Sequence, residues 1–381
     1  MTEKRSIAKS SFVVSSWTMI SRLLGFVRDV LIAKFFGIGL AAEAFFMAFT
    51  LPNSLRLLAA EGAMDTVLVP VLTEHKVKTT EAEFWRFTNI LFNVFIVSLF
   101  IIVLIGVLAA PLLVRIIAPG FINDPEKFNL TVMLLRILFP YVLLVGLTAY
   151  GMGVLHTFGH FAAPAFSSVI LNLAIIGSIL IFYPNATIAH LALSVVIAGV
   201  VQFVVQAVPI LKKGPFFDIR AGFAHREVKK VGRLLMPRVI GAGMYQINVV
   251  VDRILASLPL AGGGAVAALY YGNRLFQLPL ALFGISLATV ALPSMSRHAV
   301  TKDIDKFKET IKFSIKNMLF FSLPASAGLI VLATPIIRTL FERGEFNSYA
   351  TEITSAVLFF YAFGLVAYGG AKILVAAFHA M

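Results

Sequence analysis

Four arginines lie inside otherwise apolar stretches of the chain: Arg22, Arg28, Arg56 and Arg274. A guanidinium stays charged at any physiological pH and presents its N–H donors as a planar fork that fits phosphate or carboxylate. Placing such a charge near the middle of a membrane-length helix costs at least about 2.5–3.5 kcal/mol. The four arginines outnumber the carboxylates that could pair with them, and they come from both halves of the chain. Guanidinium groups facing one cavity without full compensation make an anion site suited to phosphate.

The elements that carry these residues read as helices with one polar stripe. In the first, Ser11 to Phe36, residues Ser11, Ser15, Thr18, Arg22, Gly25 and Asp29 recur at helical spacing, and Phe, Val, Ile and Leu fill the rest. Arg22 sits about 16 Å along the axis from Ser11 at about 1.5 Å rise per residue. Asn53 and Arg56 share a face in the second span, followed by Glu61 and Gly62. Gly241, Tyr245, Asn248 and Asp252 form a stripe in the seventh, and Tyr270, Arg274, Gln277, Ala281 and Gly284 in the eighth. Asp29 either neutralises Arg22 or Arg28 or acts directly in the site. Asp252 beside Arg253 carries the same two readings. Asn93, Asn172 and Gln202, alone in apolar spans, read as interhelical hydrogen-bond partners.

The composition demands a membrane. Hydrophobic residues make up 59% of the chain and charged residues 13%, more apolar sequence than a soluble core can use. We expect an all-α polytopic membrane protein with about ten spans, roughly 10–36, 41–72, 88–117, 129–155, 161–182, 187–211, 231–257, 265–295, 310–337 and 350–378. Pro52 and Pro279 should bend the second and eighth. The net charge of +13 sits mostly in short loops, so it reads as topology and not as nucleic-acid binding. The loops after spans two, six and eight are basic, which puts them and the N-terminus in the cytoplasm.

Short motifs recur at offsets of 218–224 residues: Ala110-Pro111 through Arg115 against Thr334-Pro335 through Arg338, Pro70 through His75 against Pro293 through His298, and Ala149-Tyr150-Gly151 against Ala367-Tyr368-Gly369. Span one then matches span seven, giving two parallel-repeat lobes around a central cavity. The lobes are 1–211 and 231–381, joined by a basic stretch, 212–230, that is either a hinge linker or a solvated loop. The second lobe has four spans against six, so we expect a longer parent chain.

Several chemistries are not expected. The absence of cysteine removes disulfides, thiol nucleophiles and Cys metal sites. The seven histidines show no metal spacing on a shared face. No nucleotide-hydrolysing motif is present, so we expect no cofactor, and any work must come from an ion gradient, the membrane potential or substrate binding.

At three places the sequence resembles the MurJ (MviN) lipid II flippases of the multidrug/oligosaccharidyl-lipid/polysaccharide exporter superfamily. These are Ser21-Arg22-Leu23-Leu24-Gly25-Phe26-Val27-Arg28-Asp29, Phe49-Thr50-Leu51-Pro52-Asn53 through Arg56 and Glu61-Gly62-Ala63, and Tyr270 through Pro279. The resemblance implies a bacterial inner-membrane flippase, not an enzyme, that moves undecaprenyl-diphosphate-linked disaccharide-pentapeptide to the outer leaflet by alternating access. It implies that Arg22, Arg28, Arg56 and Arg274 hold the diphosphate, with Asp29, Asn53, Glu61 and Gln277 as polar neighbours. It also implies a monovalent-cation (sodium) ligand at Asp252, whose partner ligands in the family come from eleventh and twelfth helices. The expected partners are lipid II and membrane lipids, with the protein a monomer. Two alternatives are an exporter of a drug or another polyprenyl-linked glycan, and a membrane enzyme acting on the same lipid.

The topology is testable because the chain has no cysteine. Single cysteines placed in 76–86 and 212–233 should escape an impermeant thiol reagent in intact cells and react after permeabilisation. Labelling of the 212–233 loop in intact cells would reverse the orientation.

Overall fold

The computed structural model describes residues 2–58, 64–258 and 262–381, with side chains from residue 11 onward except at 64–65, 239, 242 and 244–245. It is all-α among the described residues, apart from one isolated bridge between Arg343 and Phe346. Contacts divide the chain into two compact units, 1–32 with 40–262, and 33–39 with 263–381. This division reflects packing, whereas the repeat reflects sequence, so the two need not share a boundary.

The first unit runs α1 (Thr2–Phe36, through Ile32), α2 (Leu40–Leu58), α3 (Met64–Lys78), α4 (Glu81–Leu108), α5 (Ala110–Ile117), α6 (Pro125–Leu138), α7 (Pro140–Thr157), α8 (Ala162–Ile181), α9 (Ile188–Leu211) and α10 (Arg226–Ser257). Starts are set by caps: Thr80 accepts from the Glu83 N–H, and Asp124 accepts from the Lys127 N–H with Pro125 opening the helix. Breaks are set by proline, which removes a donor and disfavours helix before it. The expected third span therefore parts at Ala109 ahead of Pro111, and the fourth at Phe139 ahead of Pro140. The core gathers Phe84, Trp85, Phe87, Leu91, Tyr150 and Phe216. Tyr150 is fully buried, and its hydroxyl donates to the Thr88 carbonyl at 2.6 Å.

Part of the basic stretch after α9 is fastened to α4. Asn89 Nδ2 on α4 donates to the Pro215 carbonyl at 2.8 Å, and Asn89 Oδ1 accepts from the Asp218 N–H. Asn93 donates to the Gly222 carbonyl at 3.1 Å. Phe216 is buried against Phe92, so two asparagines and an aromatic cluster fasten the loop to α4.

The second unit holds α11 (Ala265–Pro279), a π-helical turn over Leu280–Ile285, α12 (Ser286–Val300), α13 (Ile304–Val331), α14 (Ala333–Phe341) and α15 (Ser348–Ala380). The π turn follows Pro279 directly, where a bend is expected. The break at Leu332 before Pro335 repeats the one at Ala109 before Pro111. Helix α15 packs against α11, α12 and α13. Glu345 N–H donates to the Lys34 carbonyl, and Tyr271 hydroxyl to the Gly37 carbonyl, which ties 33–39 into this unit.

Among the described residues, seven helical stretches are long and apolar enough to cross a membrane. They correspond to expected spans three to six and eight to ten. Of the three spans outside that set, one and seven are carried by α1 and α10, which at 35 and 32 residues do not lack length. The second covers α2 and part of α3, with residues 59–63 between them outside the described residues.

Gly120 lies against the end of α10. Its N–H donates to the Ser257 hydroxyl oxygen at 3.3 Å, and a Cβ there would run into the Ser257 carbonyl, which is backbone and cannot rotate away. Gly120→Ala should therefore lower the stability of the purified protein by about 1–3 kcal/mol, as overpacking does. An unchanged thermal midpoint would show that α10 does not seat this closely.

Candidate functional site

The first helix is wet along one side, but its two halves differ. Ser11, Ser15, Thr18 and Arg22 are exposed, whereas Gly25 and Asp29 are buried, Asp29 completely. Arg28 is the arginine that pairs with Asp29. Its Nε and one terminal nitrogen donate to Asp29 Oδ1 at 2.9 and 2.7 Å, and the other terminal nitrogen donates to Asn172 Oδ1 on α8 at 2.9 Å. Asn172 Nδ2 in turn donates to the Ser21 carbonyl at 3.0 Å. A buried carboxylate, a half-buried guanidinium and one amide thus tie α1 to α8. Asn172 is the interhelical partner the sequence suggests, and Gln202 on α9 is another, donating to the Ser167 carbonyl at 2.7 Å.

On α2, Arg56 Nε donates to Asn53 Oδ1 at 3.1 Å, so these two candidates are in direct contact. Glu61 lies outside the described residues, as does the side chain of Tyr245. In the second unit, Arg274 is half-buried on α11, and exposed Gln277 donates to Asn273. Asp252 is exposed on α10 and belongs to no group of three His, Asp or Glu ligands among the described residues.

Two arrangements escape sequence reading. Glu43 in α2 is 2% exposed and pairs with Lys127 at the start of α6. Lys127 also stands 4.1 Å from the Phe121 ring centroid. The available signal was a lone carboxylate inside an apolar run, but its partner is 84 residues away. The second arrangement joins His75, Glu83 and His225, which no spacing rule connects. Burial, and next the nearby His225, push the His75 imidazole below its ordinary range. Next to it, Glu74 accepts from Lys78 at 2.8 Å and Lys230 at 3.2 Å, and these bonds hold its carboxyl below the usual range.

The fold defines the class. Over 97% of its length the chain matches an inward-facing multidrug resistance MATE family transporter of the MOP superfamily, with TM-score 0.68 at 17% identity, which speaks to fold alone. It is a multi-pass helical membrane protein of that architecture. A solved lipid II flippase MurJ in an inward closed conformation matches at TM-score 0.83 and 30% identity, over 97% of this chain and 76% of that one. The family model for lipid II flippase MurJ matches residues 32–381. The probable lipid II flippases MurJ of Vibrio cholerae and Buchnera aphidicola are 36% and 35% identical over 100% and 98% of this chain, covering 74% and 73% of theirs. The chain belongs to the lipid II flippase MurJ family. It spans about three quarters of the length of these relatives.

The Arg28–Asn172 bond should be energetic and not incidental. A double-mutant cycle on Arg28→Gln and Asn172→Ala, read by thermal unfolding, should give a coupling of about 0.5–3 kcal/mol. Additive effects would show that the two side chains do not depend on each other.

Proposed function

We propose that the protein moves lipid II, an undecaprenyl-diphosphate-linked disaccharide-pentapeptide, from the inner to the outer leaflet of the bacterial cytoplasmic membrane. The observation that carries this reading is membership of the lipid II flippase MurJ family over residues 32–381. The protein acts as a carrier and not as an enzyme, opening to one side and then the other. Its N-terminus lies in the cytoplasm, as the basic loops require.

The chemistry of the cargo fits the charged residues. A diphosphate crossing the apolar core needs donors that stay charged and can engage two oxygens at once, which arginine provides. Arg22, Arg56 and Arg274 supply the charge, with Arg28 held beside Asp29. Asn53, Glu61 and Gln277 are polar neighbours that orient the headgroup. Without a nucleotide site, energy comes from a monovalent cation, with Asp252 as a ligand, or from the membrane potential, worth about 2.3 kcal/mol per charge per 100 mV.

A hydrogen bond to a charged group contributes about 1.5–3 kcal/mol, or about ten- to hundredfold in affinity. Arg22→Ala and Arg56→Ala should therefore weaken binding of labelled lipid II by that factor and fail to support growth of flippase-depleted cells, while still inserting. Lysine at either position should restore activity only in part, because it lacks the planar fork. Normal growth with both alanine variants would exclude the arginine site. Equal competition by other polyprenyl diphosphates would move the assignment to a broader glycan-lipid exporter.

A further inference from the structure

The turn between α3 and α4 meets the start of α10 at a group of three side chains. His75 comes from the last turn of α3, Glu83 from the first turn of α4, and His225 is the N-cap of α10. One nitrogen or oxygen from each lies within 4.8 Å of the other two, and this is the only such group among the described residues. Glu83 Oε1 stands 3.4 Å from His225 Nε2, while its Oε2 faces Arg86 at 3.8 Å. A second observation is independent of that proximity. The His75 Nε2 atom is fully buried and has no hydrogen-bond partner. A buried polar atom without a partner costs free energy, and an imidazole nitrogen in that position is either a lone pair with no donor or an N–H with no acceptor. Phe87 lines the site, its ring centroid 4.5 Å from that of His75 and 4.7 Å from that of His225.

We propose that His75, Glu83 and His225 form a binding site for a divalent transition-metal ion of the zinc class. Two imidazole nitrogens and one carboxylate oxygen, with water in a fourth position, suit zinc; calcium and magnesium prefer oxygen alone. Bonds of about 2.0–2.1 Å to a tetrahedral ion require the ligand atoms to draw in to about 3.3 Å. Glu83 has the freedom to do this, because its side chain is 38% exposed at a helix start. His225 must change tautomer. Its Nδ1 accepts the Glu227 N–H at 3.2 Å, so the neutral ring carries its proton on Nε2, facing Glu83. Coordination through Nε2 moves that proton to Nδ1, and the Glu227 N–H loses its acceptor. The ion therefore replaces a helix cap with a metal cross-link, fastening the start of α10 to the α3–α4 turn.

The test uses the full chain in detergent, with any affinity tag removed and the protein stripped by chelator, titrated with zinc chloride against a fluorescent zinc indicator. We expect a single zinc ion per chain, a raised unfolding midpoint on zinc addition, and faster amide exchange at Glu227. In the double variant His75→Gln and His225→Asn, where Asn keeps a capping oxygen, zinc should bind at least about tenfold more weakly, since losing even a supporting residue costs about 10–100-fold. If that variant does not fold, Glu83→Gln should show the same weakening. Equal zinc binding by native and variant proteins, no zinc binding by the native protein, or competition by magnesium as effective as zinc would each overturn the proposal.

Discussion

The structure depends on one constraint: a polar group inside an apolar helical protein must find its partner in the protein. Arg28 shows how this is met. Its guanidinium bonds a carboxylate one residue away and an amide on another helix, 144 residues along the chain. The amide then reaches back to the Ser21 carbonyl, so satisfying one charge also fixes how α1 and α8 meet. Gln202 and Gln206 both turn to Ser167, the first to its carbonyl and the second to its hydroxyl at 2.9 Å. Asn89 and Asn93 do the same for the backbone of the loop after α9. Hydrophobic packing alone is weakly directional in such a protein, and these bonds supply register.

How much of this was legible in the sequence follows from the range of each signal. Helical periodicity and apolar content are local, so the all-α membrane fold and the polar stripes could be read directly. Proline is also local, and both Pro279 and Pro111 mark real interruptions, although the break at Ala109 inside the expected third span was not foreseen. Asn172 was legible as a helix-to-helix partner because an amide in an apolar run has little else to do. Its particular partner was not, because Arg28 and Asn172 meet only through the tertiary fold. The same distance hid the Glu43–Lys127 pair and the His75, Glu83 and His225 group, whose members come from three elements. Burial of Glu43 makes its partner Lys127 a structural residue.

The arginines, alike in sequence, divide by environment. Asp29 is fully buried, and its oxygen lies 2.7 Å from Arg28, so the pair presents little net charge at any distance beyond its own size. Arg22 lies on the same helix, less than two turns away, and is exposed. Arg56 Nε donates to the neutral amide of Asn53, which helps orient the guanidinium. Arg28 thus fixes the helix on which Arg22 is displayed. Breaking a buried pair by removing one partner leaves the other charge uncompensated, typically at about 3–5 kcal/mol. Loss of Arg28 consequently strands the buried Asp29 carboxylate and loosens α1 from α8, whereas replacing exposed Arg22 leaves that pair intact.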